Sequence, residues 1–314
     1  MSRVVSLGSI NVDRVVSATD ADLAAFAERF AWFPERGRTI RIDRLPDDFT
    51  VDADERRHGG KGANQAVAAV RVGASTAMLG KVGRDHGRFG VLAALADAGV
   101  DVDRIGTADA PTGTAYVFVD DSGDNRIVVV PGANATVGRP YVRNQYDAVR
   151  DADCLLLQNE VPVAPVESLL ADLAGDPRRP TVVLDPAPPE GVDPLLACEA
   201  VDYCTPNEHE YAALEDSLDG FDGVVVRKRG GAPVVVERAG KRLFTVEPPT
   251  VDPVDTTGAG DVLNGVLAAR LVAGVSLRKA VADATVAGSL ATREAGARNG
   301  VPTLDDIRST RGAN

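Results

Sequence analysis

The stretch that most strongly indicates the fold is Asp255-Thr256-Thr257-Gly258-Ala259-Gly260-Asp261, which is followed by Val262-Leu263-Asn264-Gly265 and an apolar run of helical spacing. Small residues allow the backbone to approach a ligand closely, and free N–H groups at a helix start can surround an anion. An acid beside such an anion site repels a phosphate, so we interpret Asp261 as a base that accepts the proton of an attacking hydroxyl group. The alternative is that Asp255 and Asp261 only cap a turn and a helix.

A second glycine-rich stretch is Gly59-Gly60-Lys61-Gly62-Ala63-Asn64-Gln65-Ala66. Its paired glycines permit a close approach of the backbone, and Lys61 and Asn64 offer donors one helical turn apart, which suits sugar hydroxyl groups. The alternative is a glycine loop that only introduces a helix. The GxxxxGK[ST] order of a Walker A loop is absent, and Gly8-Ser9-Ile10-Asn11 lacks the GxGxxG pattern of a dinucleotide-binding fold.

The composition is that of a globular protein with an acidic surface. The 314 residues are 44% hydrophobic and 25% charged, with a formal net charge of −12 at pH 7. Such a charge argues against a nucleic-acid or anionic-membrane partner. We find no apolar run long enough to span a bilayer, and three cysteines without metal-ligand spacing favour a cytoplasmic protein with reduced thiols. Five lysines against 29 arginines resemble the usage of proteins from salt-loving, halophilic archaea.

Short β-branched runs alternate with Ala/Leu-rich stretches of helical spacing, which predicts an α/β fold with a mostly parallel sheet covered on both faces. The predicted strands are residues 4–7, 76–79, 116–119, 127–130, 154–157, 182–184, 224–226 and 234–237. The predicted helices are residues 63–72, 87–98, 164–173 and 285–293. Ligands of such sheets bind beyond the carboxyl ends of the strands. The polar tail from residue 303 onward is expected to fray.

Residues 14–58 interrupt this alternation with Pro34, Pro46, many charged residues and a short alternating piece at 38–45. We predict that they form a small β-rich lid with an inserted helix near residues 20–30. Residues 1–13 and 59–314 would then form the α/β domain.

Further motifs follow one another along nearly the whole chain. They are Gly8-Ser9-Ile10-Asn11-Val12-Asp13, Val82-Gly83-Arg84-Asp85-His86-Gly87, Pro111-Thr112-Gly113-Thr114-Ala115, Val130-Pro131-Gly132-Ala133-Asn134, Gln158-Asn159-Glu160, Asp185-Pro186-Ala187-Pro188 and Thr205-Pro206-Asn207-Glu208. Together with the two glycine-rich stretches, this ordered set resembles the carbohydrate kinases of the ribokinase (pfkB) family, and the GGKGAN and PGAN forms resemble its ribokinase branch. The resemblance implies a Rossmann-like three-layer fold with a lid. It also implies ATP-dependent phosphorylation of a pentose primary hydroxyl, with D-ribose giving ribose 5-phosphate.

The resemblance also implies a role for each matching residue. The sugar would be bound by Asn11, Asp13, Gly60, Lys61, Asn64, Glu160 and Asp261. Asp261 would be the catalytic base, beside an anion hole formed by the backbone of Gly258, Ala259 and Gly260. ATP and Mg²⁺ would be held by Asn207, Glu210, Lys228 and Gly230. A monovalent cation, usually K⁺, would bind at Asp255, Thr257 and the backbone near Ala291, Glu294, Gly296 and Gly300. Asn207 could instead be only a helix cap, and Glu160 only a solvated loop acid.

The lid departs from the family pattern in its length and in its arginines, which include Arg36, Arg38, Arg41, Arg56 and Arg57. Arginine suits a bidentate grip on phosphate, so a second hypothesis is a kinase that converts ribose 1-phosphate to ribose 1,5-bisphosphate. Interleaved acids leave surface ion pairing or a contact between lids as the alternative, and the resemblance implies a homodimer through the lid. A third hypothesis is a non-catalytic sugar or nucleotide sensor on the same fold, against which the intact Asp261 argues.

Overall fold

The structure is a computed structural model that describes residues 3–121 and 124–312. Its strands are β1 Arg3–Leu7, β2 Asn11–Ser17, β3 Thr39–Arg41, β4 Glu55–Gly59, β5 Ser75–Leu79, β6 Lys81–Gly83, β7 Gly106–Ala108, β8 Gly113–Val119, β9 Asn125–Val130, β10 Cys154–Gln158, β11 Thr181–Asp185, β12 Tyr203–Cys204, β13 Val224–Arg227, β14 Val234–Arg238 and β15 Lys241–Val246. Its helices are α1 Asp20–Arg29, α2 Lys61–Arg71, α3 His86–Phe89, α4 Val91–Asp97, α5 Arg139–Asn144, α6 Tyr146–Arg150, α7 Val163–Ala174, α8 Asp193–Leu196, α9 Glu208–Ala213, α10 Glu215–Asp219, α11 Ala259–Val272, α12 Leu277–Ala291 and α13 Leu304–Gly312.

The central sheet has eight strands in the order β15-β14-β13-β12-β11-β10-β1-β5. All neighbours from β5 to β13 pair in parallel, whereas β14 pairs antiparallel with both β13 and β15. The prediction of a mostly parallel sheet is therefore confirmed. Because the strands run the same way, their carboxyl ends lie along one edge, where ligands of such sheets bind.

The alternation of side chains along β1 shows why the sheet is covered on both faces. Val5 and Leu7 pack in the apolar cluster that contains Leu170 of α7, whereas Val4 packs in the cluster that contains Val266 of α11. Successive residues of a strand point to opposite faces, so a strand whose apolar residues lie on both faces needs helices on both sides. The result is the expected three-layer arrangement.

A second sheet has the strand order β3-β9-β8-β2-β4. The predicted β-rich lid supplies β3, β4 and most of β2, and α1 confirms the helix expected near residues 20–30. Residues 113–130, which the sequence analysis placed in the α/β domain, supply β8 and β9 of this sheet. Pairing between segments distant along the chain leaves no local period, so this contribution was missed. The division of the chain into two domains stays a prediction.

One face of the lid sheet is covered by an aromatic cluster. Its members are Phe26, Phe30, Trp32, Phe33, Phe49, Tyr116 and Phe118. They are half of the chain's aromatic residues. Phe118 of β8 is completely buried, with its ring centroid 5.1 Å from that of Phe33. The cluster fixes α1 and the following loop to the sheet.

Two local predictions were wrong. The helix expected over 87–98 is broken at Gly90, whose φ of 65° separates α3 from α4. The tail expected to fray forms α13, because Ile307 is buried and Arg311 pairs with Asp283 of α12. Across residues 3–121 and 124–312, no helix combines the length and apolarity needed to cross a membrane.

We expect Phe118→Ala to lower the free energy of unfolding by about 3–5 kcal/mol, because it leaves a large cavity in the aromatic cluster. Denaturant unfolding can be followed by the fluorescence of Trp32. This residue is the sole tryptophan and belongs to the aromatic cluster, so its signal reports on the cluster itself. Leu243→Ala is the control, since Leu243 is 48% exposed and its loss should change the stability by less than about 0.5 kcal/mol. Equal effects of the two substitutions would show that the cluster does not stabilise the lid.

Candidate active site

Charged and amide side chains meet where the parallel strands end. Gln158 and Asp185 are the last residues of β10 and β11, and Lys228 directly follows β13. The first turns of α2 and α11 bring Asn64 and Asp261 to the same place, where their side chains are hydrogen-bonded. The cluster therefore lies at the edge that the parallel fold predicts for a ligand site.

Asp261, the predicted base, lies in the first turn of α11 and is 6% exposed. Its Oδ2 accepts a hydrogen bond from Nδ2 of Asn64 at 3.0 Å, and its Oδ1 accepts one from Nε2 of Gln65 at 3.1 Å. Burial raises the pKa of Asp261 above its ordinary value, and the charge of Lys61 opposes the rise. A carboxylate in this setting is fixed in orientation and holds a proton more readily than a solvated one.

Gln65 connects Asp261 to a second buried carboxylate, Asp185. The same Nε2 of Gln65 donates to Oδ2 of Asp185 at 3.0 Å, while Oε1 of Gln65 accepts from Nε2 of Gln158 at 2.6 Å. Nζ of Lys228 donates to Oδ1 of Asp185 at 3.0 Å. Gln65, Asp185 and Gln158 stood in the motifs of the sequence, but nothing in the motifs alone indicated that they form one network.

Two lysines balance these carboxylates. Burial disfavours the charge of Lys61, but the carboxylates of Asp261 and Glu160 outweigh it and raise its pKa above the ordinary range. Burial likewise disfavours the charge of Lys228, but the carboxylate of Asp185 outweighs it and the pKa of Lys228 is raised. Both lysines therefore stay protonated throughout the physiological pH range.

The residues predicted to bind the sugar lie on the lid side of this cluster. Oδ1 of Asn11 accepts from Nδ2 of Asn134 at 2.8 Å. Glu160 accepts from the hydroxyl group of Ser9 and, at 3.4 Å, from the backbone N–H of Lys61. Glu160 is therefore held in place by hydrogen bonds, unlike the solvated loop acid of the alternative.

Asp13 of β2 lies directly against the backbone of Gly59, where an added Cβ would be 2.1 Å from its Oδ2. Gly60 follows as the N-cap of α2. Burial raises the pKa of Asp13 to about 7, Arg298 opposes the rise, and the neighbouring carboxylates of Glu160 and Asp261 add to it. Asp13 is therefore poised between its charged and neutral forms near neutral pH.

Arg298 is the site residue that the sequence analysis missed completely. It follows α12 in an irregular loop, and its Nε donates to Oδ1 of Asn64 at 2.8 Å. Its Nη2 donates to the carbonyl oxygen of Gly59, also at 2.8 Å. No motif pointed to it, since it stands alone between small residues.

The turn before α11 has the backbone shape expected of an anion site. Gly258 is the N-cap, with φ 79°, and within the described residues the N–H groups of Gly258 and Gly260 donate to no oxygen. The N–H of Ala259, which was predicted to join them, donates to the carbonyl oxygen of Thr256 at 3.3 Å. Nζ of Lys228 adds positive charge here, since it would lie 3.4 Å from a Cβ added to Gly260.

Asn207 and Glu210 form a reciprocal cap at the start of α9. Oδ1 of Asn207 accepts from the N–H of Glu210 at 2.8 Å, and the carboxylate of Glu210 accepts from the N–H and Nδ2 of Asn207 at 2.7 Å. Burial raises the pKa of Glu210, and Lys228 opposes the rise. Asn207 is thus a helix cap, as the alternative proposed, but one that holds a buried carboxylate near Lys228. Gly230 is exposed in the loop after β13.

Asp255 ties the anion turn to the loop at 292–300. Its Oδ1 accepts from the N–H of Thr257 at 2.9 Å, and its Oδ2 accepts from the N–H of Gly296 at 2.8 Å. Burial opposes the charge of Asp255, yet these hydrogen bonds hold its pKa below the ordinary value. In the described part of the chain, no N–H group donates to four of the predicted backbone ligands. They are the carbonyl oxygens of Ala291, Glu294, Gly296 and Gly300.

The arginines of the lid are mostly engaged with acids or directed away from the site. Arg36 forms ion pairs with Asp20, Asp120 and Asp124 at 3.1–3.3 Å. Arg38 contacts Nε2 of His209 at 3.3 Å.

The register of the lid sheet places the remaining three arginines. Arg57 lies opposite Asp13, and Arg56 is one position removed, so it faces the other side of the sheet. Arg57 pairs with Glu55 at 2.6 Å, and its Nη1 is 3.7 Å from Oδ2 of Asp255. Arg41 lies in the same row as Asp13 but three strands away, about 14 Å.

The chain is similar to known proteins in both sequence and structure. Residues 37–304 match the model of the pfkB family of carbohydrate kinases. A ribokinase of Bacillus subtilis is 35% identical over 316 residues, covering 98% of each chain. The structure of an Arabidopsis thaliana ribokinase complexed with ribose and ATP has a TM-score of 0.75 and 26% identity, with 98% of each chain covered. An ADP complex of a Cryptococcus neoformans ribokinase has a TM-score of 0.78 and 25% identity, over 98% of this chain and 99% of that one.

The shape of the anion turn depends on Gly258, and a matched pair of glycines tests this. In Gly258→Ala, the new Cβ would lie 2.6 Å from Cβ of Ala297 and the backbone would keep a positive φ. Gly274 has a φ of 72° with no atom near its missing Cβ, so Gly274→Ala carries the backbone strain alone, about 1–2 kcal/mol. We expect Gly258→Ala to lower the free energy of unfolding by a further 1–3 kcal/mol or so. Equal losses in denaturant unfolding would show that the contact with Ala297 does not constrain the turn.

Proposed function

Because the chain belongs to the pfkB family of carbohydrate kinases, we propose that it transfers the γ-phosphoryl group of ATP to the primary hydroxyl of D-ribose, giving ribose 5-phosphate. The observation that carries this proposal is the position of Asp261. It is a buried carboxylate, oriented by two side-chain amides, in the first turn of a helix. The N–H groups of Gly258 and Gly260 beside it donate to no oxygen of the described residues. The ribokinases similar to this chain, one of them complexed with ribose and ATP, support ribose as the acceptor.

Asp261 would accept the proton of the sugar hydroxyl as its oxygen attacks the γ-phosphorus. The raised pKa of this carboxyl brings it closer to the pH at which the reaction runs, which favours general base catalysis. The amides of Asn64 and Gln65 limit the carboxylate to one orientation, so little reorganisation is needed when the hydroxyl arrives.

Charge that develops on the transferred phosphoryl group would be stabilised by groups that are already in place. The N–H groups of Gly258 and Gly260 lie at the start of α11, where the helix dipole also favours an anion. Lys228 stays charged beside them. Preorganised donors of this kind are among the largest contributions to catalysis.

The sugar hydroxyls would be bound by Asn11, Asp13, Lys61, Asn64 and Glu160, which line the lid side of the cluster. A carboxylate accepts hydrogen bonds from two hydroxyl groups at once, so Asp13 suits a vicinal diol. Because β2 belongs to the lid sheet, a sugar bound by Asp13 would join the lid to the α/β sheet.

The donor set at the nucleotide side suits Mg²⁺ that arrives with ATP. Mg²⁺ prefers oxygen ligands and usually binds one or two carboxylates together with phosphates and water. Glu210 and Asp185, both buried beside Lys228, are the carboxylates that would hold it. When bound, the ion would neutralise charge on the β- and γ-phosphates.

The loop beside the anion turn suits a monovalent cation such as K⁺. The carbonyl oxygens of Ala291, Glu294, Gly296 and Gly300 accept no hydrogen bond from the described residues, and such oxygens are the ligands that K⁺ takes in proteins. Asp255 would hold the ion next to the turn. Nη1 of Arg57, 3.7 Å from Oδ2 of Asp255, would compete with the ion for this carboxylate.

A homodimer through the lid stays a prediction, as does the cytoplasmic location. The aromatic cluster covers one face of the lid sheet with the chain's own α1 segment. A partner lid would therefore have to contact the opposite face or an edge.

The charges favour a neutral acceptor over ribose 1-phosphate. Three carboxylates, Asp13, Glu160 and Asp261, face three cations, Lys61, Arg298 and Arg57, so the acceptor side has no excess of positive charge for a second phosphate. Among the lid arginines, Arg36 and Arg57 are paired with acids and Arg38 contacts His209. Arg56 faces the other side of the sheet, and Arg41 lies about 14 Å from Asp13.

Formation of ADP tests the proposal, with ATP, Mg²⁺ and K⁺ in high salt and with ribose or ribose 1-phosphate at equal concentrations. We expect ribose to be preferred, and a reaction without sugar gives the background hydrolysis. Preference for ribose 1-phosphate would contradict the charge argument and turn the lid arginines into a phosphate site. If none of a broad panel of sugars gives ADP, the result would contradict the proposed kinase activity and favour a sensor.

A further inference from the structure

We infer that Arg298 is a positioning residue of the acceptor site, which sets the orientation of the Asn64 amide towards Asp261 and supplies a positive charge to Asp13. The inference rests on the proposed kinase function and names a residue that none of the motifs contains. The contacts of the Arg298 guanidinium group support both roles.

The first contact fixes the amide of Asn64. An amide side chain can turn over and exchange its oxygen for its nitrogen, and its neighbours decide which way it points. Nε of Arg298 can only donate, so it requires Oδ1 of Asn64 on its side, at 2.8 Å. Nδ2 is then left for Oδ2 of Asp261 at 3.0 Å. The ionised Asp261 also requires Nδ2 on its side, so Arg298 is a second constraint, which holds the amide in this orientation even when Asp261 takes up a proton.

The second contact ties the guanidinium to the lid. Nη2 of Arg298 donates to the carbonyl oxygen of Gly59, the last residue of β4, at 2.8 Å. Arg298 thereby joins the loop after α12, a lid strand and the first turn of α2. A planar fork with several fixed N–H groups can make these two bonds together, whereas the single ammonium group of lysine cannot reproduce the geometry.

The third effect is electrostatic and acts on Asp13. The charged groups that face Asp13 come from every element around it, namely Arg298 of the loop after α12, Lys61 of α2, Arg57 of β4, Glu160 after β10 and Asp261 of α11. Burial and the two carboxylates favour the neutral form, and the pKa of Asp13 is raised to about 7 although Arg298 opposes the rise more than any other group. Removal of the guanidinium charge should raise this pKa further.

The direction of the pH dependence follows. Asp13 must be ionised to accept hydrogen bonds from two sugar hydroxyls, and it is ionised above its pKa. A variant without the positive charge should therefore lose kcat/KM for ribose as the pH falls, starting from a higher pH than the parent protein. The loss should become smaller at alkaline pH, where Asp13 ionises in both proteins.

Arg298→Gln and Arg298→Lys separate the two roles. Gln keeps an N–H donor but removes the charge, so we expect the acid limb of kcat/KM to move up by about 1 pH unit or more, with KM for ribose raised at neutral pH. Lys keeps the charge but loses the fork, so its acid limb should stay near that of the parent protein, while kcat falls by roughly 10- to 100-fold. Arg308→Gln is the control, since Arg308 is an exposed arginine of α13 that pairs with Asp305 far from the site.

The test measures kcat and kcat/KM for ribose from pH 6 to 9, and the unfolding midpoint of each variant from Trp32 fluorescence. Unchanged acid limbs and unchanged kcat in both Arg298 variants would overturn the inference. It would also be overturned if both variants lost activity only in proportion to a loss of folded protein, because Arg298 would then be structural. If the parent protein forms no ADP with ribose, the proposed function fails separately. In that case the inference is tested by the pH dependence of ribose binding, which should weaken from a higher pH in Arg298→Gln than in the parent protein.

Discussion

A single amide group, that of Gln65, holds two buried carboxylates at the place where the two sides of the site meet. Its nitrogen donates to both Asp185 and Asp261, and its oxygen is held by Gln158. Two carboxylates so close repel each other unless donors and cations compensate. Lys61 and Lys228 supply that compensation, which explains why two of only five lysines in an arginine-rich chain lie here.

The packing of α2 against α11 makes this network possible. A Cβ at Gly265 of α11 would lie 2.3 Å from the carbonyl oxygen of Gln65, so the two helices can approach only because a glycine stands at this position. The close approach brings the first turns of both helices, with Asn64 and Asp261, within hydrogen-bond distance. The geometry of the catalytic carboxylate is therefore set by backbone packing as well as by its own neighbours.

The lid belongs to the same arrangement. Its strands β2 and β4 carry Asp13 and Gly59, and Arg298 contacts Gly59 directly. The aromatic cluster on the other face fixes a long insertion to the sheet without using the side that faces the site. The lid therefore has one apolar covered face and one charged face, and the charged face carries Asp13.

The sequence predicted those parts of the molecule that have a local signal. The three-layer fold followed from the alternation of strands and helices, and the glycine-rich stretches pointed to Asp261, Lys61 and Asn64. Arg298 has no such signal, because its importance comes from a loop that folds back onto the first turn of α2, 234 residues away along the chain. The strands within residues 113–130 were predicted, but their membership of the lid sheet was missed for the same reason, since their partner β2 is distant in sequence. The lid arginines looked like a phosphate site because their pairing with acids was not visible before the register was known.

The measurement that tests the central claim most directly is the turnover of Asp261→Asn together with its affinity for ribose, measured by calorimetry. The substitution keeps the size of the side chain but removes the base, so kcat should fall by about two to four orders of magnitude while ribose still binds. An unchanged unfolding midpoint from Trp32 would show that the fold is intact. Turnover within a few-fold of the parent protein would contradict the account, because a carboxylate held by two amides at the start of α11 would then have no part in the reaction.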